Sequence, residues 1–185
     1  MAEVSSWYNR EDGFSLIEIR LNSVQQLFNS FDPSPFHEKD LDADAEEYIV
    51  DAVREFPLAA RLKLVFHLPS DQAGSPAVAT LAESIHNYFE YRRDATARDL
   101  KFLLHEGRRA LAVGLAFLSA CLLARHLLFS GSEPWTQIVG ESLLIGGWVA
   151  MWRPMEIFLY EWWPIREMRR VYAKLASIPV ECRPV

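Results

Sequence analysis

The stretch ALAVGLAFLSACLLARHLLF, residues 110–129, limits the fold more than any other part of the chain. A helix that is apolar on every side must be covered by lipid or by a large protein core. Leu111 to Phe129 is 19 residues, roughly 28 Å of helix against a hydrocarbon core of ~30 Å. A second apolar run, WTQIVGESLLIGGWVAMW (135–152), follows the linker SGSEP, whose Ser, Gly and Pro suit a tight turn. A chain of 185 residues has little core in which to bury two such helices. The sequence therefore predicts a two-helix transmembrane hairpin over 106–152, with spans at about 111–129 and 136–152. The competing reading is a buried hairpin in a soluble domain.

The flanking charges follow the membrane rule that basic flanks stay cytoplasmic. Arg92, Arg93, Arg98, Lys101, Arg108 and Arg109 precede the first run, and Arg153, Arg166, Arg169, Arg170 and Lys174 follow the second. No Lys or Arg lies between His126 and Gln137. Two spans with both termini cytoplasmic, in a cell (inner) membrane, are expected. The N-terminus MAEVSSWYNREDG has no basic and apolar leader pattern, so no cleavable signal peptide is expected. Trp135, Trp152, Trp162 and Trp163 fall where interfacial indoles sit. Arg108, Arg109, Arg166, Arg169 and Arg170 are the expected contacts to lipid headgroups.

Small residues recur every four positions in each span: Ala112, Ala116, Ala120 and Ala124 in the first, Ser142, Gly146 and Ala150 in the second. Such stripes let helices approach closely in lipid. They are expected to pack the spans, within one chain or between chains. Arg125 and Glu141 are equidistant from Glu133 at the turn, so they fall at similar depth. A membrane ion pair between them is expected, because a charge near lipid is costly unless paired or in reach of water. Separate snorkelling to the outer surface is the alternative.

Residues 153–176 change character. Met155, Leu159, Trp162, Ile165, Met168, Tyr172 and Leu175 recur at helical spacing, with basic residues on other faces. This predicts an amphipathic C-terminal helix in a cytoplasmic segment 153–185, lying on the membrane or on the cytoplasmic domain, with Pro154 and Pro164 as bends or breaks. The tail SIPVECRPV is expected to be extended.

The front of the chain is acidic. Residues 1–76 carry 6 Lys and Arg against 14 Asp and Glu, which disfavours nucleic acid as a partner. FSLIEIRLN (14–22) and RLKLVFHLP (61–69) alternate as strands. Leu62, Leu64, Phe66 and Leu68 point one way and Lys63, Val65 and His67 the other. Helices are expected over 23–31 and 42–57, the second opened by acids and stopped by Pro57. Ser75 and Pro76 start a longer helix through Leu81, Ile85 and Phe89, with Gly107 as a candidate hinge before the first span. The expected fold class is α+β: a small acidic cytoplasmic β-α-α-β-α domain (1–105, including the juxtamembrane helix), then the hairpin, then the C-terminal helix. The two strands should be parallel neighbours, and their open edges invite pairing with another copy or a partner.

Little chemistry is announced. Asp40, Asp42 and Asp44 open like a calcium loop, but Ala45 replaces the turn glycine and Asp51 replaces the bidentate Glu. More simply, DPSP forms turns, Phe36 plugs the core and the acids cap a helix. No nucleotide-binding, hydrolase-elbow or zinc-protease motif occurs, and the histidines are scattered. No catalytic, cofactor-binding or metal residue is assigned. With DPSPFHEKDLDADAEEYIVDAV followed by two apolar runs, most of the chain resembles bacterial two-span inner-membrane proteins with a small acidic cytoplasmic domain and no known activity. The resemblance implies location and architecture only. The expected function is non-enzymatic: a membrane-anchored scaffold or accessory subunit that self-associates, as a homo-oligomer, or recruits a protein partner. Two alternatives stand: a small oligomeric channel or transporter lined by Arg125 and Glu141, and a metal-dependent membrane enzyme using His37 and the following acids.

Overall fold

A computed structural model describes residues 8–32, 39–72, 75–128 and 133–185. The expectations for the DPSP turn beyond Asp32, for Phe36 and His37, and for the linker residues 129–132 lie outside the described residues. The chain is mixed α+β and divides into two compact units, Met1–Ala95 with Glu167–Val185, and Thr96–Arg166.

The first unit is built on a four-stranded sheet of order β1-β2-β3-β4. Strands β1 (Arg10–Glu11) and β2 (Phe14–Arg20) form an antiparallel hairpin. Its loop is Asp12-Gly13, both with positive φ (50° and 78°), the conformation a two-residue hairpin turn requires and Asp-Gly supplies most readily. Strand β3 (Leu62–Leu68) lies parallel to β2, with Ile17 opposite Leu64 and Ile19 opposite Phe66. The connection between them holds a 3-10 turn (Val24–Leu27) and helix α1 (Ala43–Arg54). Strand β4 (Val180–Pro184) lies parallel to β3 on its other side. The two parallel strands read from the sequence are thus present, and the extended tail closes one of their edges. Beyond Leu16, the outer edge of β2 pairs with no strand among the described residues.

Alternation sorts the sheet into two faces. Leu62, Leu64, Phe66 and Leu68 are buried on one of them with Ile17. They share a core with Ile49 and Val53 of α1, with Leu81, Ile85 and Phe89 of helix α2 (Pro76–Leu128), and with Val171, Tyr172 and Leu175 of helix α5 (Trp162–Leu175). The end of the C-terminal helix therefore belongs to the α/β core. Helix α1 begins where Asp42 accepts a hydrogen bond from the Asp44 amide (3.1 Å), with Asp44 and Glu46 in the first turn. Its acids do the capping expected of them. Ser75 precedes α2 as expected, but its buried hydroxyl finds no hydrogen-bond partner among the described residues. Its contribution is the backbone carbonyl that accepts from Val78 (3.0 Å).

The second unit contains the later part of α2, helix α3 (Pro134–Ala150), the short α4 (Trp152–Glu156), a π turn (Ile157–Glu161) and the start of α5. Only α2, among the described residues, is long and apolar enough to cross a membrane; just 11% of its most apolar window is buried. The second apolar run departs from the full-length span expected at 136–152. Helix α3 has 17 residues, about 26 Å, and stops at Ala150. Pro154 is the physical reason, because it has no N–H to return to the Ala150 carbonyl. Pro164 removes the donor for Tyr160 in the same way, and the adjacent π turn lengthens the ladder by one residue there.

Candidate functional site

Within the second unit α2 and α3 run antiparallel in close contact, and glycine decides where. A Cβ on Gly114 would meet the Ala150 carbonyl oxygen at 2.9 Å, the same oxygen that Pro154 leaves without a helical donor. A Cβ on Gly147 would stand 2.7 Å from Leu118 Cδ1, and one on Gly107 would stand 2.8 Å from Ile157 Cγ2. Gly107, Gly114 and Cys121 on α2, and Gly140, Gly147 and Pro154 on the facing arm, are buried and spaced by seven in each set; Thr136 and Ile157 on that arm are buried as well, outside this spacing. Seven is the repeat that keeps one face toward a partner in a left-handed helical pair.

The four-residue stripes lie elsewhere. Ala112, Ala116, Ala120 and Ser142 are exposed, Ala124 is half-buried, and a Cβ on Gly146 would meet nothing within 4 Å. Only Ala150 takes part, through its backbone. Each four-residue step turns about 40° past a full helical circle, so four such residues wander off any one face. Gly107 is no hinge. It lies in unbroken helix against Ile157 and Phe158.

Arg125 and Glu141 fall at the expected register, since Arg125 packs its side-chain carbons on Gly140 (Cγ at 3.3 Å from a built Cβ). Both are exposed, as is His126, and no ion pair joins Arg125 to Glu141 among the described residues.

A charged cluster lies at the other end of the pair. Arg153 binds Glu106 (3.1 Å), Glu156 (3.3 Å) and Glu161. Beside it is a groove of about 560 Å³, walled by Ala110, Val113, Gly114, Phe117 and Ala150, with Glu106, Arg109 and Arg153 at its polar end. Arg108 and Arg109 are exposed; Arg108 lies 3.5 Å from His105 Nδ1. Trp135, Trp152 and Trp163 are exposed, and Trp162 donates to the Phe158 carbonyl (2.9 Å). Arg166 stacks over Trp162 at 5.5 Å, while Arg169 and Arg170 face solvent.

The chain matches no family model, no curated protein and no solved structure.

The first unit holds two polar arrangements that sequence spacing did not reveal. Glu46 of α1 accepts from Tyr88 (2.6 Å), Tyr172 (2.8 Å) and Arg92 Nε (2.8 Å), and Arg92 also donates to the Tyr172 hydroxyl (3.1 Å). Burial, then the Glu46 hydrogen bond, pushes both tyrosine pKa values up. This knot ties three helices that lie far apart in sequence. The second covers the sheet face away from the helices. Lys63 pairs with Glu181 (3.0 Å), His67 with Glu18 (2.9 Å), and Arg183 with Glu181 (2.8 Å) and Glu11. Leu16 and Val65 on the same face are almost fully buried. The Arg183 and Lys63 contacts hold the Glu181 carboxyl down at about 2. No group of three or more His, Cys, Asp or Glu able to hold a metal occurs among the described residues.

Proposed function

We propose that the chain is a membrane-anchored scaffold or accessory subunit. Its second unit crosses the membrane as a helical pair, and its α/β unit works at the cytoplasmic face by self-association or by recruiting a protein. One observation carries the anchoring: the apolar surface of the pair is left uncovered by the chain itself. Val113, Leu123, Leu127, Leu128, Ile138, Ile145 and Val149 are each at least 59% exposed. Solvent does not tolerate so large an apolar surface, and lipid covers it without cost. The 17 residues of α3 lie at the short end of what spans a bilayer. Arginines at the Arg109 and Arg153 end favour placing that end, and both termini, in the cytoplasm. A binding role fits the α/β unit, whose polar side chains are engaged with one another and whose β2 edge has room for another strand.

Light scattering of the full chain in a mild detergent, corrected for bound detergent, tests the self-association arm. A defined multimer is expected. A clean monomer would remove self-association and leave recruitment, to be pursued by pull-down. The channel reading predicts altered ion flux on Glu141→Gln, whereas an anchor loses at most a little stability.

A further inference from the structure

We propose that the open edge of β2 pairs with the same edge of a second copy of this chain, antiparallel about a two-fold axis at Ile19. The proposal rests on the self-association reading above and deepens it, from an unassigned contact to one strand pair in one register. Hydrogen bonds fix which way the backbone of β2 points. The Ser15 and Leu21 amides donate to Arg61 and His67 on the β3 side (2.9 Å each), and the Leu16 amide donates to Asn9 on the β1 side (2.8 Å). Backbone groups alternate along a strand, so Glu18 and Arg20 turn their N–H and C=O outward as Leu16 does. Strand β1 stops short of them, and no backbone partner meets either residue on that side among the described residues. Two donors and two acceptors are left at an edge, the arrangement that a further strand satisfies. The side chains choose the strand. In an antiparallel pair centred on Ile19, Glu18 of each copy exchanges both backbone hydrogen bonds with Arg20 of the other, so every outward group is met and opposite charges stand directly across from each other. A shift of two residues would set Glu18 against Glu18 or Arg20 against Arg20, like charges that repel. Both side chains are placed for this. Arg20 is exposed, and Glu18 is held upright by His67 (2.9 Å) and Asn9 with a lone pair to spare on each oxygen. Other charges on this face are engaged within the chain: Glu11 and Glu181 with Arg183, Lys63 with Glu181, and Arg61 over the Phe14 ring.

Disulfide trapping and light scattering of the full chain in a mild detergent test this together. Across such an axis Ile19 faces itself at a Cα separation of about 4.5 Å, within reach of a disulfide. With Cys121→Ala and Cys182→Ser in place, Ile19→Cys should give a covalent dimer under a mild oxidant. Asp71→Cys, exposed in the loop before α2, should not. The natural chain should have the mass of a dimer, since an edge that pairs with itself closes at two. Arg20→Glu, which sets like charges in both pairs, should weaken the dimer about tenfold, and Arg20→Lys should keep it. Arg20→Pro should abolish the dimer and leave the circular dichroism unchanged, because the N–H it removes is the outward one. Arg54→Glu, an exposed charge on α1, should change nothing. A dimer that survives Arg20→Pro, or that Ile19→Cys does not trap, would overturn the edge and leave self-association standing through another surface. A monomeric natural chain would remove self-association and the edge with it, and leave recruitment of a foreign partner. Dimerisation only after removal of residues 1–7 would give the edge to the chain's own N-terminal segment and overturn the proposal as well.

Discussion

Glu46 shows how much one side chain can organise. Its carboxylate is mostly buried and takes three hydrogen bonds from Tyr88, Arg92 and Tyr172. Glu46→Ala leaves those donors facing a void, at a cost of about 1–3 kcal/mol, moderated because Arg92 still reaches solvent. The melting temperature of the full chain in detergent should fall accordingly, while Glu47→Ala on the exposed side should leave it nearly unchanged. The Glu181 carboxyl gives a pH signature. Its folded pKa, about 2, lies below its ordinary 4.5, so the stability it contributes is complete above about 4.5 and disappears as pH falls through 2. The natural chain should melt above Glu181→Gln at pH 7, and the gap should close on acidification toward pH 2. A gap independent of pH would show that Arg183 and Lys63 do not hold that carboxylate. Tyr8 gives the opposite limb. Burial and Glu55 raise its pKa from 10.0 to about 12, so its contribution is intact below pH 10 and lost as pH rises through 12.

At the scale of elements, the contact between α2 and α3 rests on which glycines face the partner helix. Gly147→Leu forces a side chain into Leu118 and should destabilise the pair by about 1–3 kcal/mol. Gly146→Leu, one residue away, meets open space and should be neutral or slightly stabilising, since leucine favours helix over glycine. Comparing the two melting temperatures tests the seven-residue register; equal losses would contradict it. These residues also mark what the sequence could convey. The antiparallel register was legible from distances to Glu133, because few residues separate the two apolar runs. The face was not, because a four-residue count cannot distinguish neighbouring faces over three turns. Strand alternation at 62–68 was legible because one side is core and the other carries the charged residues, although Val65 on that second side is buried as well. Strand β4 was only half legible. Its extended form follows from its prolines, but its pairing with β3 is set by a partner more than a hundred residues earlier. The Asp12-Gly13 hairpin was available as a turn signal and makes β1, the element that sequence reading passed over.

At the scale of the whole molecule, the chain brings together two units with different needs. One has a conventional core of sheet and helices, and the other carries its apolar side chains outward. The C-terminal segment returns to the first unit through Val171, Leu175 and Ile178, so truncation after residue 166 should destabilise the α/β unit and leave it prone to proteolysis. Limited proteolysis of the truncated chain beside the natural one measures this. None of the site geometry was visible in motifs, since the Glu46 knot and the Arg109 groove are built from residues that meet only after folding. The most direct test of the membrane account is cysteine labelling with a membrane-impermeant maleimide in oriented vesicles. Two variants lacking the native cysteines carry a single probe each, Glu133→Cys at the start of α3 or Asp71→Cys in the α/β unit; both positions are exposed. The expected result is labelling of the first only from the outer face and of the second only from the cytoplasmic face. Labelling of both from the same face would contradict a membrane-crossing helical pair.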